Sequence, residues 1–216
     1  MAYKQISPQV VAEGGTGLTT ITDGGILLGS GTAAITPTAQ PTNGQLIVGS
    51  TGVDPVLATI TGDDGIDITN AGGSLTVGSQ IVQIVSTMKS TGSSTSSTSF
   101  VDVTNGSLSI TPTSSSNSIL VWFNWLANLG NVASTNGQSF FNILRGATQL
   151  NTTGDIRNDG ISSSGGDRHQ AQRLYQYVDA PATTSATTYK IQHRVTNASF
   201  TLTTEEINMI LIEVVP

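Results

Sequence analysis

The segment GGILLGSGTAAITPTA (residues 24–39) is echoed by NGQLIVGSTGVDPVLA (residues 43–58). A short apolar run, ILLGS and then LIVGS, thus recurs inside glycine, serine and threonine. Self-similarity with a period near twenty residues marks an architecture built unit by unit rather than around one core. Every run is short and stops at Gly or at a Pro-containing turn: Ile26-Leu27-Leu28, Leu46-Ile47-Val48, Val56-Leu57. Strands this short and this few cannot bury a face against one another within a single chain. The segment therefore needs partners. Several identical chains wound about one axis would pack Ile26, Leu27, Leu28, Leu46, Ile47 and Val48 together and leave Gly and Pro to the corners. A trimer is the expected assembly. A third unit, GDDGIDITNAGGSLTVGS (residues 62–79), alternates Ile66 and Ile68 with Asp67 and Thr69, then Leu75 and Val77 with Thr76 and Gly78. That is strand, turn, strand, the pattern of a hairpin. A disordered Gly/Ser/Thr linker is the competing reading, and the recurrence of the apolar runs argues against it.

Composition changes near Gln80. Residues 1–79 hold one aromatic, Tyr3, and one basic residue, Lys4, whereas both tryptophans, all five phenylalanines and both histidines follow. A core-forming domain begins there. Over the whole chain, charged residues are 10% against a usual ~25%, a balance that suits an all-β surface rich in turns. Net charge is −6 with no cluster of lysine or arginine, so the footprint of a nucleic-acid binder is missing. There is no cysteine, hence no disulfide framework and no thiolate metal site. The start MAYKQISPQVVAEGG lacks the apolar core of a secretory signal, and no window approaches the ~20 apolar residues of a membrane span. Synthesis in a cytoplasm, without export by its own signal or membrane insertion, is the expectation.

The second segment reads as strands at sandwich-like spacing. Residues 80–88 open it, and 99–103 with 107–112 are expected to form a hairpin around Thr104-Asn105-Gly106, where Asn-Gly supplies positive φ. Residues 118–126 place Ile119, Val121, Phe123 and Trp125 on one face and Leu120, Trp122, Asn124 and Leu126 on the other. Both faces are largely apolar, so one should meet the domain core and the other a neighbouring subunit. A strand over 139–145 follows. Tyr189, Ile191, His193 and Val195 then alternate with Lys190, Gln192 and Arg194, giving a core face and a wet face. Residues 207–215 are apolar almost throughout, the mark of a central strand near a subunit interface, to which Ile210 and Ile212 are assigned with Trp122. About eight such strands with long loops suggest a jelly-roll-like sandwich.

With these residues in view, VAEGGTGLTT (residues 11–20), the GILLGSG and QLIVGSTG units and DGIDITNAGGSLTVG resemble the N-terminal shaft region of bacteriophage tail-fibre and head-fibre proteins. STSFVDVTNGSLSITPTSSSNSILVWF (residues 97–123) and INMILIEV (residues 207–214) are similar to a C-terminal domain of many phage fibre proteins. The resemblance implies an all-β virion protein: a short interwound trimeric β shaft followed by a jelly-roll-like β-sandwich knob. It implies a virion-attachment segment over 1–22 that meets other virion structural proteins, a shaft over 23–79 and a knob over 80–216 that touches a host surface glycan or protein. The shaft is short, so a stubby head fibre fits as well as a tail fibre.

Candidate contact residues lie in the knob. TTGDIRNDGISSSGGDRHQ (residues 152–170) is the densest polar stretch and holds Asp155, Arg157, Asp159, Asp167, Arg168 and His169; mixed charge on a loop-rich stretch suits a receptor contact. Tyr175 and Tyr177, with Arg173 nearby, are the aromatic candidates for touching a ligand. A glycan hydrolase would need two converging carboxylates, and the pairs Asp63-Asp64 and Glu205-Glu206 point to opposite faces if extended. His169 and His193 lack a nucleophile-elbow partner, and Asp63, Asp64 and Asp67 lack the closing glutamate of a calcium loop. No catalytic residue, metal or cofactor is therefore expected. Adhesion leads the functional readings; a capsid decoration or adaptor without a receptor comes second and a hydrolase third.

Overall fold

In the computed structural model, residues 15–63, 65–131, 137–151, 154–161 and 168–216 are described. They form sixteen strands and no helix. The chain divides into two units, Met1–Ser79 and Gln80–Pro216.

The first unit consists of three antiparallel hairpins: β1 (Leu27–Leu28) with β2 (Thr36–Pro37), β3 (Gln45–Ser50) with β4 (Val53–Thr59), and β5 (Ile66–Ala71) with β6 (Ser74–Ser79). Each sequence unit makes one hairpin, and the backbone repeats with it. A turn opens every unit, closed by amide-to-carbonyl bonds from Gly25 to Thr22 (3.0 Å), Gln45 to Thr42 (3.1 Å) and Ile66 to Asp63 (2.9 Å). Gly24, Gly44 and Gly65 sit in these turns at φ of 68°, 76° and 85°. Gly31, Gly52 and Gly73, spaced by 21 residues each time, reverse the chain within the hairpins at φ of 63°, 79° and 74°. A side chain with a Cβ is strained at such angles, so glycine recurs where the backbone must turn left-handed. What the unit lacks is a core: none of its described residues is buried. Ile26, Leu27, Leu46, Ile47, Val48, Val53, Val56 and Val77 are all exposed, and Leu28 is half-buried. Two-stranded hairpins without a covered face are marginal in water.

The second unit holds β7 (Ile81–Lys89), β8 (Ser93–Thr95), β9 (Val101–Ile110), β10 (Ser118–Asn131), β11 (Gly137–Arg145), β12 (Thr148–Gln149), β13 (Ile156–Ile161), β14 (Arg168–Asp179), β15 (Thr187–Val195) and β16 (Phe200–Val214). One sheet runs β14-β10-β16-β7, and β8 continues the β7 edge farther along β16. The other runs β12-β11-β15-β9, and β13 continues the β12 edge along β11. With β7/β8 and β12/β13 each counted as one position, the eight positions in chain order lie as 1-8-3-6 in one sheet and 2-7-4-5 in the other. This is the double-sheet order of a jelly roll.

Between the sheets lies the core. β10 turns Ile119, Val121, Phe123, Trp125, Ala127 and Leu129 inward, and β15 contributes Tyr189, Ile191, His193 and Val195, all buried. The Trp125 and Phe141 rings meet at 5.1 Å between centroids. Full burial of one such side chain stabilises by roughly 1.5–3 kcal/mol. β16 changes phase midway: Leu202 and Thr204 point inward, then Ile207, Met209 and Leu211. The flip occurs at a β-bulge, where the pairing with β10 jumps from Leu126–Glu205 to Asn124–Asn208 and Glu206 takes φ of 49°. One inserted residue shifts the side-chain alternation by one step.

Two sequence expectations are corrected here. Residues 99–112 do not form a hairpin around Asn105-Gly106. β9 is one strand, both arms of which pair with β15, Ser107 with Lys190 and Asp102 with Gln192, while the residues between bulge out. Asn105 does adopt positive φ, 61°, but the dihedral serves a bulge instead of a reversal. Gly106 fits there because a Cβ would lie 2.8 Å from Cβ of Val103. In addition, β16 starts at Phe200 and β10 extends to Asn131, so both central strands are longer than expected.

Candidate functional site

β14 is an edge strand whose odd residues register with the inward side of β10: Tyr177 with Val121, Tyr175 with Phe123, Arg173 with Trp125 and His169 with Leu129. Residues two apart on a strand share a face, so the Tyr175 and Tyr177 rings stack at 6.2 Å between centroids with planes inclined by 22°. Beside them, Leu150, Asn151, Asp155 and Ile156 complete a cavity of about 360 Å³, within the size range of small-molecule sites.

The walls of this cavity are fixed by buried polar contacts. Asn151 accepts a hydrogen bond from the Ile143 amide (2.9 Å) and donates to the Gly154 carbonyl (2.9 Å). Asp155 receives the Arg194 guanidinium at 3.1 Å, and that guanidinium lies over the rings of Phe140 (4.5 Å) and Phe100 (5.0 Å). At the end of β14, Asp179 accepts from the Tyr189 hydroxyl (2.6 Å) and pairs with Arg145 (2.8 Å). Burial, reinforced by the hydrogen bond to Asp179, holds the Tyr189 phenol well above its ordinary range. The Tyr175 hydroxyl is different: it is shielded from solvent and has no hydrogen-bond partner among the described residues. Burial first, then Tyr177 and Asp179 nearby, push its pKa up to about 12, so it remains a neutral donor.

Of the contact candidates, the fold brings Asp155, Tyr175 and Tyr177 together. Arg157, on β13 opposite Phe140, is exposed, and it does not line the cavity, nor do His169 and Arg173. Asp167 lies outside the described residues, as do the side chains of Asp159 and Arg168. The stretch 152–170, expected to be loop-rich, carries β13 and the start of β14. Leu150, Asn151, Ile156 and Arg194 were not legible as site residues. Nothing in the sequence links them to Tyr175; only the meeting of the β11–β13 connection with β14 does. Among the described residues, no group of three His, Cys, Asp or Glu side chains is placed to hold a metal ion.

A second feature is the outward face of the β14-β10-β16-β7 sheet. Register places Trp122 beside Ile210 and Leu120 beside Ile212, then Ile212 beside Ile84 and Leu120 beside Val178. Trp122 is 41% exposed, Ile84 59% and Val178 62%; Ile210 and Ile212 are half-buried. This apolar end of the face passes into a polar one at the bulge, where Asn124, Gln172, Glu206, Asn208 and Lys89 border a cavity of about 450 Å³. Inside the sandwich, His193 is enclosed, its Nδ1 2.8 Å from Thr204 Oγ1, and burial lowers its pKa to about 4.

No known protein family matches the sequence, and no curated protein matches it. The structure is similar to chains in structures of infectious bursal disease virus. The Gt strain chain superposes with a TM-score of 0.35 at 6% identity, over 84% of this chain and 44% of that one. The Gx strain chain does so with a TM-score of 0.25 at 10% identity, over 87% and 46%. The chain spans less than half the length of either. Both scores are low, and the architecture rests on the strand order itself.

Proposed function

We propose that the chain is a virion structural protein: a homotrimeric fibre that attaches to other virion proteins through residues 1–22 and meets the host surface with residues 80–216, binding without catalysis. The reading places residues 23–79 in an interwound shaft and the protein on the virion after synthesis in the host cytoplasm. The observation that carries it is unburied apolar surface in both units. Three hairpins have no core, and a sheet already packed on one side presents Trp122, Ile84 and Val178 on the other. Apolar patches of this kind mark interaction surfaces, and further copies of the same chain would cover both. Repeated copies of one shallow site would also turn weak contacts into firm attachment. The resemblance of both halves to phage fibre proteins supports the same reading.

Adsorption of particles to host cells tests the adhesive part. Antibodies against residues 80–216 should block it. Unimpeded adsorption with the antibodies bound would leave the second reading, a capsid decoration or adaptor with no receptor, which the same apolar surfaces favour equally.

A further inference from the structure

The turns that open the three repeats differ at one position. Asp23 precedes Gly24, Asn43 precedes Gly44 and Asp64 precedes Gly65, and the three glycines share positive φ. Only the asparagine carries a side-chain amide that can leave as ammonia. Glycine after it favours that loss, because without a Cβ its amide nitrogen is open to close on the asparagine Cγ. The triplet Thr42-Asn43-Gly44 recurs as Thr104-Asn105-Gly106 and Thr135-Asn136-Gly137; Asn136 lies outside the described residues. Asn43 and Asn105 thus share their immediate neighbours, and any difference between them comes from the fold.

Exposure does not separate the two, since both are exposed. Freedom to rearrange does. The Asn105 side chain donates to the Thr91 carbonyl (3.2 Å), and the Thr104 amide donates to Ser93 Oγ (2.9 Å). The strand is paired on both sides of the bulge, Asp102 with Gln192 and Ser107 with Lys190. Gly106 is buried against Val103. The nitrogen that must attack is therefore enclosed, and the side chain it must reach is tethered. Around Asn43 the bonds run between its neighbours, from the Gln45 amide to the Thr42 carbonyl (3.1 Å) and from the Thr42 amide to the Gln45 side chain (2.8 Å). They close the ends of the turn and leave the Asn43 side chain out, and Gly44 is only half-buried.

We infer that Asn43 is a site of spontaneous deamidation, and that aspartate is tolerated there because Asp23 and Asp64 stand at the equivalent positions. The Gly44 nitrogen gives up its proton and bonds to Asn43 Cγ, the Cγ–Nδ2 bond breaks, and ammonia leaves with that proton. Water then opens the cyclic imide. Opening at Cγ leaves aspartate on an ordinary backbone. Opening at the backbone carbonyl leaves isoaspartate, whose extra main-chain methylene so short a turn cannot absorb. Either product adds a negative charge to a chain of net charge −6.

The full chain is incubated in warm, mildly alkaline buffer, and conversion at each asparagine is read by digestion and mass spectrometry. In the folded chain Asn43 converts at least about tenfold faster than Asn105. The two rates draw together in urea, where turn and bulge are lost and the shared triplet remains. Asn43→Asp keeps the amide protection of β3–β4. Equal conversion of Asn43 and Asn105 in the folded chain overturns the inference, as does faster conversion at Asn105. A gap that persists in urea overturns its basis in the fold, and loss of β3–β4 protection in Asn43→Asp overturns the tolerance of the acid.

Discussion

Glu213, near the end of β16, is fully buried and accepts a hydrogen bond from the Asn117 side chain at 2.7 Å. The same carboxylate takes the Thr113 amide (2.7 Å) and hydroxyl (2.8 Å) and the Gln83 side chain. Burial alone would raise its pKa, but these donors outweigh burial and hold it at about 2. One side chain on β16 thus ties β7 to the connection between β9 and β10.

Removing one partner should therefore cost more than an ordinary surface change. Asn117→Ala is expected to lower unfolding free energy by about 1–3 kcal/mol, the penalty for a buried polar group left short of a partner. Urea denaturation of the Gln80–Pro216 unit within the full chain reads this directly, and an unchanged midpoint would contradict it.

Acid should destabilise the fold in two stages. His193 has a folded pKa of about 4, below the ordinary ~6.5, so the unfolded chain takes its proton first. Its contribution is complete above pH ~6.5 and falls by about 3 kcal/mol in total as pH drops to ~4. Glu213 is depressed to about 2 from an ordinary ~4.3, so its contribution is present above pH ~4.3 and lost between there and pH ~2. Unfolding measured against pH should show the upper stage vanish in His193→Phe, whatever that variant's absolute stability.

Much of this sandwich was legible in the sequence, for reasons visible in particular residues. β15 reads as a strand because Tyr189 to Val195 alternate cleanly, and β10 reads as two-faced because Leu120 and Trp122 are as apolar as Val121 and Phe123. β16 was cut short because the bulge at Glu206 reverses the alternation; Phe200 and Leu202 fall out of step with Ile207 and Met209. Asn105-Gly106 misled because positive φ serves a bulge as well as a hairpin. The cavity was half legible: Tyr175, Tyr177 and Asp155 stood out by type, but Asn151 and Arg194 join them only through pairing across the sheets.

Asp179→Ala should strand both the Tyr189 hydroxyl and the Arg145 guanidinium, which now meet the carboxylate at 2.6 and 2.8 Å. Leaving the buried Tyr189 hydroxyl without its acceptor costs about 1–3 kcal/mol, and the partly exposed Arg145 adds less, because water can reach it. Thermal unfolding reads the loss, and a drop no larger than that of a surface substitution would show the contact to be dispensable.

Glycine positions separate the backbone of the repeats from mere flexibility. Gly52→Ala and Gly73→Ala force a Cβ into left-handed turns, at about 1–2 kcal/mol each, and should erase amide protection in β3–β4 and β5–β6. Gly29→Ala has open space around its Cβ and no positive φ, so protection should survive. Equal effects at all three would contradict the assigned turns.

Charge placed on the outward sheet face should break self-association without unfolding the sandwich. Trp122→Glu and Ile210→Glu change side chains that are not part of the enclosed core, so far-UV circular dichroism should stay the same while the assembly falls apart.

The mass of the full chain in solution by light scattering tests the central claim most directly. A value near three times 22.3 kDa, falling to one chain in Trp122→Glu, is the result expected if coreless hairpins and an apolar sheet face are covered by further copies. A monomer in the unsubstituted chain would contradict it, and the fibre reading would have to be given up.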